Sequence, residues 1–262
     1  MRSAAKLGIV FGLVMGGLAV ADDAVVKAQY EKALALFKER ATAGKIDEAI
    51  AIVEPAAAQA QDTELKYDVI LLHSRCLYWK GMHTQGDKAK QAIHDAGYKV
   101  AETARKLDLD YAEAYYFSAV QLIRWGEATG IAAALGKKKE IVALLEGTID
   151  RNTKNGDPGE GFEGWGAHRA FGRLYFKLPG FAGGDLGKSL IHLDKAFSNA
   201  KHFAINVNFY AESLAANKEK PKALQILDEL LASDPQTLNP DRIPETLDEL
   251  EATRKLKAEI GG

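Results

Sequence analysis

The sequence predicts an all-α protein built as an array of stacked helix pairs. Three observations point there. Strand-like alternation is almost absent, while apolar residues recur at three- and four-residue spacing along most of the chain. Ala, Leu, Lys and Glu, all strong helix formers, are abundant. Small residues also recur seven apart at corresponding places, as in Ala49 and Ala56 or Ser189 and Ala196. That spacing keeps one helix face narrow, so two antiparallel helices can approach closely.

The first residues set the compartment. Arg2 and Lys6 precede an uncharged apolar run, Leu7 to Leu18, which is followed by Ala19-Val20-Ala21 and then by Asp22 and Asp23. A basic start, a short apolar run and an A-x-A site predict a secretory signal peptide over residues 1–21. The run is shorter than the ~20 residues needed to span a bilayer. Residues 22–262 are then expected to form one repeat domain. The single cysteine, Cys76, has no intramolecular partner. It sits in the apolar-aromatic run Leu71 to Trp79 and is expected to pack as a small hydrophobe. A net charge of −2 gives no global basic field for nucleic acid.

Five helix pairs follow, at roughly 30–62, 65–110, 112–152, 165–200 and 204–235. Gly44-Lys45-Ile46-Asp47-Glu48-Ala49-Ile50 resembles the turn and second-helix start of a tetratricopeptide repeat, whose period is ~34 residues. Lys106 to Tyr116 resembles the junction between two such repeats. Ala223, Leu227, Leu230 and Asp234-Pro235 keep the spacing in the fifth pair, and Pro235 stops the helix before it. The middle pairs carry insertions, the clearest being Asp150 to Gly164 with its Asn155-Gly156-Asp157-Pro158-Gly159. Pro244 to Ile260 is a charged amphipathic helix suited to capping the last pair.

The stretch AGGDLGKS, Ala182 to Ser189, misses the phosphate-binding P-loop pattern only at its first position. A P-loop needs a buried strand before its glycines, so that the backbone N–H groups aim at phosphates. Here the preceding run, Gly166 to Phe176, has a helical pattern and is stopped by Pro179-Gly180. The expectation is a lengthened turn between two helices, with no nucleotide and no other cofactor.

Arg124-Trp125-Gly126-Glu127-Ala128, the run Ala167-His168-Arg169 to Gly172, and Leu178-Pro179-Gly180 followed by Gly183-Gly184-Asp185 carry a more specific likeness. Over roughly residues 65–235 the chain resembles the TatT-type T component of TRAP transporters. The resemblance implies a periplasmic, all-helical, non-enzymatic protein. Such a protein assists a substrate-binding protein that delivers organic-acid or apolar ligands to an ion-driven membrane transporter. Many members are lipoproteins, and this sequence lacks the lipid-bearing cysteine.

No residue pattern supports catalysis. No two of the six histidines have the i, i+4 spacing of a helix-borne zinc site, and neither H-E-x-x-H nor G-x-S-x-G occurs; no metal is expected. Binding has more support. Aligning the pairs places one side of each first helix on the concave surface of the array. That surface collects Arg75, Tyr78 and Trp79, then Tyr116 and Arg124 with Trp125 adjacent, then Arg169, Arg173 and Phe176. Guanidinium beside aromatic rings suits a ligand with a carboxylate and an apolar body. Glu127 and Glu113 are candidate internal partners that would neutralise the arginines. The first and fifth pairs offer Glu31, Leu34 and Lys38, and Ile205, Asn208 and Glu212, at the corresponding places. Two functions are therefore expected to compete. One is a transport accessory that docks a substrate-binding protein and holds an organic-acid or hydrophobic ligand. The other is a general tetratricopeptide scaffold that binds a protein segment in an open groove. Homo-oligomerisation is compatible with both.

Overall fold

The chain folds as five antiparallel helix pairs followed by a returning helix, and no strand occurs among the described residues. A computed structural model describes residues 22–107 and 109–262, so the expected signal peptide lies outside the described residues. The pairs are α1 (Asp23–Lys38) with α2 (Lys45–Gln59), α3 (Thr63–His83) with α4 (Asp87–Arg105), α5 (Ala112–Thr129) with α6 (Ile131–Ile149), α7 (Phe162–Lys177) with α8 (Leu186–Ala200), and α9 (Ala204–Ala216) with α10 (Lys220–Leu231). The short α11 (Pro235–Leu238) and then α12 (Ile243–Gly261) complete the array.

Local chemistry explains the boundaries. The carboxylates of Asp22, Asp62, Asp185 and Asp234 each accept a backbone N–H from the first turn they precede, satisfying donors that a helix start leaves orphaned. The first pair therefore begins at Asp23, seven residues earlier than the pattern predicts, because Asp22 caps it. Gly44 turns α1 into α2 with a φ of 82°, a conformation that costs glycine little.

Small residues bring the helices together as expected. Ala49, Ala56, Ser189 and Ala196 are all fully buried. Gly97 in α4 lies so close to α5 that a Cβ there would stand 2.2 Å from Gln121 Nε2. This contact belongs to a buried polar network. Gln121 Nε2 donates to the Ser74 carbonyl at 2.8 Å, Ser74 Oγ donates to the Gly97 carbonyl at 3.1 Å, and Gln121 Oε1 lies 2.8 Å from His94 Nδ1. Burial holds the His94 pKa down, so His94 donates to Gln121 as a neutral ring. The network fixes α3, α4 and α5 in one register, since a half-satisfied version would leave buried polar groups without partners.

Helix α12 does more than cap. Leu250 joins the cluster of Leu214, Leu227 and Leu230 from α9 and α10, as a cap requires. Its leading half also reaches back across the concave side. Glu245 takes a bidentate contact from Arg40 just after α1, with Nε to Oε1 at 2.9 Å, and Asp248 lies 2.9 Å from His83 Nε2 at the end of α3. Arg242, immediately before α12, pairs with Glu163 at the start of α7. The array is thereby closed on itself.

The AGGDLGKS stretch is a hydrogen-bonded turn. Gly184 donates to the Pro179 carbonyl at 3.0 Å and Asp185 to the Tyr175 carbonyl at 3.0 Å. A Cβ at Gly184 would sit 1.8 Å from the Leu178 carbonyl oxygen, whereas Lys188 projects outward. Gly184→Ala is expected to force the turn apart at a cost of about 1–3 kcal/mol. Lys188→Ala should stay within ~0.5 kcal/mol of the parent. Denaturant melts of both variants check this; a loss from Lys188→Ala as large as that from Gly184→Ala would contradict it.

Candidate functional site

Closure by α12 leaves a cavity of about 530 Å³ on the concave side. Each wall is a helix stripe. From α3 come Arg75, Tyr78 and Trp79, at i, i+3 and i+4, which share one face. From α5 come Tyr116, Phe117, Val120, Ile123, Arg124 and Glu127, and from α7 Gly166, Arg169, Ala170 and Arg173. Phe203, Ile205 and Phe209 close the far end, while Arg242, Glu245 and Glu249 face in from the α12 side.

The start of α7 is built to hold Arg169. Glu163, Gly164 and Trp165 run left-handed, with φ of 52°, 61° and 60°. Two non-glycine residues in that region are costly and need support. Gly164 is pressed against Phe203, where a Cβ would lie 2.3 Å from the ring. The turn aims the carbonyls of Glu163 and Gly164 at Arg169 Nη1, at 3.1 and 3.4 Å. Asn206 Oδ1 accepts from the same nitrogen at 3.0 Å, and Tyr116 Oη accepts from Nη2 at 2.8 Å. Arg169 is thus buried and held by neutral acceptors.

The other arginines differ in their partners. Arg124 donates to Glu127 at 2.8 Å and contacts Tyr78 Oη at 3.4 Å. Burial opposes its charge, yet Tyr78 and Glu127 outweigh that and raise its pKa. Burial likewise pushes the Glu127 pKa up, but Arg124 prevails and holds it down. Arg173 pairs with Glu212, which also takes Lys177 at 3.1 Å. Internal neutralisation therefore holds for Arg124 and Arg173, with Glu212 in the place proposed for Glu113. The Glu113 carboxylate instead accepts the Lys154 backbone N–H at 2.9 Å. Arg75 is different. Its guanidinium lies over the Phe37 ring, 4.8 Å from the centroid, and among the described residues it has no hydrogen-bonding partner.

Of the nine residues singled out from the sequence, Arg75, Tyr78, Trp79, Tyr116, Arg124, Arg169 and Arg173 line the cavity. Trp125 and Phe176 do not. Trp125 follows Arg124 by one residue, a turn of about 100°, and packs against the cluster that holds Ile141 and Leu144 of α6 and Phe171 of α7. Phe176 lines a separate cleft beside Leu178 and Leu186. From the first pair Phe37 and Arg40 face the cavity in place of Glu31, Leu34 and Lys38, and from the fifth Ile205 does so without Asn208 or Glu212. Asn208 is buried, donating to the Glu249 carbonyl and accepting from Thr253. Phe117 was detectable, since it stands seven residues before Arg124 on the same face. The α12 residues carried no signal of this kind. Among the described residues no group of three His, Cys, Asp or Glu is placed to hold a metal ion.

Glu249 gives the site a pH-dependent element. Its Oε2 accepts the Ile205 N–H at 2.9 Å. Burial raises its pKa to about 7, against the lowering pull of Arg242 and Arg169. A carboxyl with a raised folded pKa binds its proton more tightly in the native state. Its contribution therefore favours folding at low pH and is lost as pH rises from the ordinary carboxyl range through about 7. Glu249→Gln, which keeps an acceptor for Ile205, is expected to be more stable than the parent at pH 8 and to lose that advantage by pH ~5. Thermal melts of the two proteins across this range test it, and a constant difference would count against the shift. No family model matches the chain, and a search of curated proteins found no match.

Proposed function

We propose that the chain is a non-enzymatic, exported binding protein that holds a small carboxylate-bearing, largely apolar ligand in this cavity. On the resemblance drawn from its sequence, it serves as the T component of a TRAP-type transporter in the periplasm and docks a substrate-binding protein. The observation that carries the ligand reading is Arg75. A partly buried guanidinium without an acceptor is costly, because its hydration is reduced and nothing replaces it. A carboxylate would supply two acceptors in the planar geometry that guanidinium fits. Phe37, Tyr78, Trp79, Phe117 and Ile123 offer the surface for an apolar body. Arg124 and Arg173 are already neutralised, which favours one anionic group over two.

The scaffold alternative needs an open groove, and α12 occupies much of that face. A ligand site that is concave, mostly apolar and supplied with a few polar groups fits the closed form better.

The test is a thermal-shift screen of aliphatic and aromatic monocarboxylates, followed by titration. Arg75→Ala is expected to remove a charge-assisted contact of about 1.5–3 kcal/mol, roughly ten- to a hundredfold in affinity. Arg75→Lys should restore only part, since an ammonium lacks the planar fork. Absence of any shift, together with capture of a peptide along the concave face, would replace this reading with the scaffold.

A further inference from the structure

The turn between α7 and α8 displays a large apolar side chain where nothing covers it. Phe181 is 91% exposed, the most exposed large hydrophobe among the described residues. It sits in the middle of a short 3-10 turn, Gly180–Ala182. The turn is closed by N–H donations from Ala182 to the Pro179 carbonyl and from Gly183 to the Gly180 carbonyl, each at 2.9 Å. The ring stands outward and takes no part in the open cleft beside it, which Tyr175, Leu178 and Leu186 border.

Two lysines border the turn that carries this ring. Lys138 of α6 donates to the Ala182 carbonyl at 2.7 Å, and its ammonium fills the space where a Gly183 side chain would stand. Lys188, in the first turn of α8, lies over the Tyr175 ring. Among the described residues neither lysine has a carboxylate partner, although the chain as a whole carries a net charge of −2. The glycines of AGGDLGKS thus shape a basic turn with a projecting phenyl ring.

We propose that this turn is a membrane-contact site that inserts Phe181 between the headgroups of an anionic lipid surface, with Lys138 and Lys188 against the lipid phosphates. Two observations favour lipid over an acidic protein. The ring is isolated at the tip of a turn, without the packed apolar rim that surrounds a protein hot spot. A lipid surface also needs no complementary pocket: an aromatic body at the acyl boundary and basic side chains at headgroup level suffice. The site is independent of the cavity ligand, and its contact is expected to be weak and reversible, as one anchor and a few charges imply.

The experiment uses the chain from Asp22 onwards, whose fold is described, because the apolar run at 7–18 would itself bind lipid. Co-sedimentation is measured with phosphatidylcholine vesicles and with vesicles that also contain phosphatidylglycerol. Binding is expected only to the anionic vesicles. Phe181→Ala should weaken it about tenfold, in proportion to one buried aromatic side chain. Lys138→Glu with Lys188→Glu should weaken it by more than about tenfold at low salt, and raised salt should reduce the parent's binding. Circular dichroism and melting separate lost contact from lost fold, and Lys188→Glu alone, which leaves the bond from Lys138 to the Ala182 carbonyl in place, is measured beside the double variant. No sedimentation with anionic vesicles, or sedimentation that neither set of substitutions changes, overturns the proposal. Unchanged vesicle binding with loss of a bound acidic protein partner in Phe181→Ala would also overturn it and assign the turn to protein contact.

Discussion

The closed shape of the molecule depends on Arg40 and Glu245. Stacked helix pairs form an open curve, because each pair buries its apolar faces only against its neighbours. Here a guanidinium at the end of the first helix meets a carboxylate in the last one, and both are largely buried. A buried pair brings no guaranteed net stability, since desolvation offsets much of the attraction. Its effect is on geometry. Burial pushes the Glu245 pKa up, but Arg40 and Arg242 hold it in the ionised range, so the contact stays charged. Arg242 adds a second tie to Glu163. Those two pairs determine where α12 lies and turn a groove into a cavity.

The rest of the site follows from that placement. Glu249 faces inward because Glu245, four residues earlier on the same helix, is fixed to Arg40. Glu249 then accepts from the first turn of α9, and its backbone carbonyl accepts from Asn208. On the opposite wall the left-handed turn at Glu163 to Trp165 serves two functions. Its carbonyls hold Arg169 and its Glu163 carboxylate holds Arg242. The cost of that backbone is supported by packing against Phe203 and by the Asn206 amide, which donates to the Gly164, Ala196 and Ala200 carbonyls. The strained turn therefore joins α7 both to the fifth pair and to the segment leading into α12.

The fold was legible because pairing in an array is a local matter. Ala49 with Ala56, and Ser189 with Ala196, report close approach within each pair, and the first helices carry their inward residues at helical spacing. Arg75, Tyr78 and Trp79 could be placed on one face for the same reason. Trp125 and Phe176 could not be placed from adjacency to arginine, because one residue along a helix turns the side chain through about 100°, and because the end of α7 faces a different cleft. The α12 wall was illegible for another reason. Its position is set by ion pairs between residues 79 and 205 positions apart, and no periodicity encodes which carboxylate will meet which guanidinium. The three left-handed residues also escape pattern, since Glu and Trp do not ordinarily mark such a turn.

The order of events during folding is constrained by the same closure. Contacts within and between adjacent pairs join residues tens of positions apart, whereas Arg40 and Glu245 are separated by 205. Loop-closure entropy favours the near contacts first. The five pairs, and the seat of α12 on α9 and α10, would then form before the leading half of α12 meets Arg40, passing through a species whose aromatic concave wall faces water. For that interval the molecule is a sticky half-shell, and self-association is held off by how fast the leading half of one charged helix swings home.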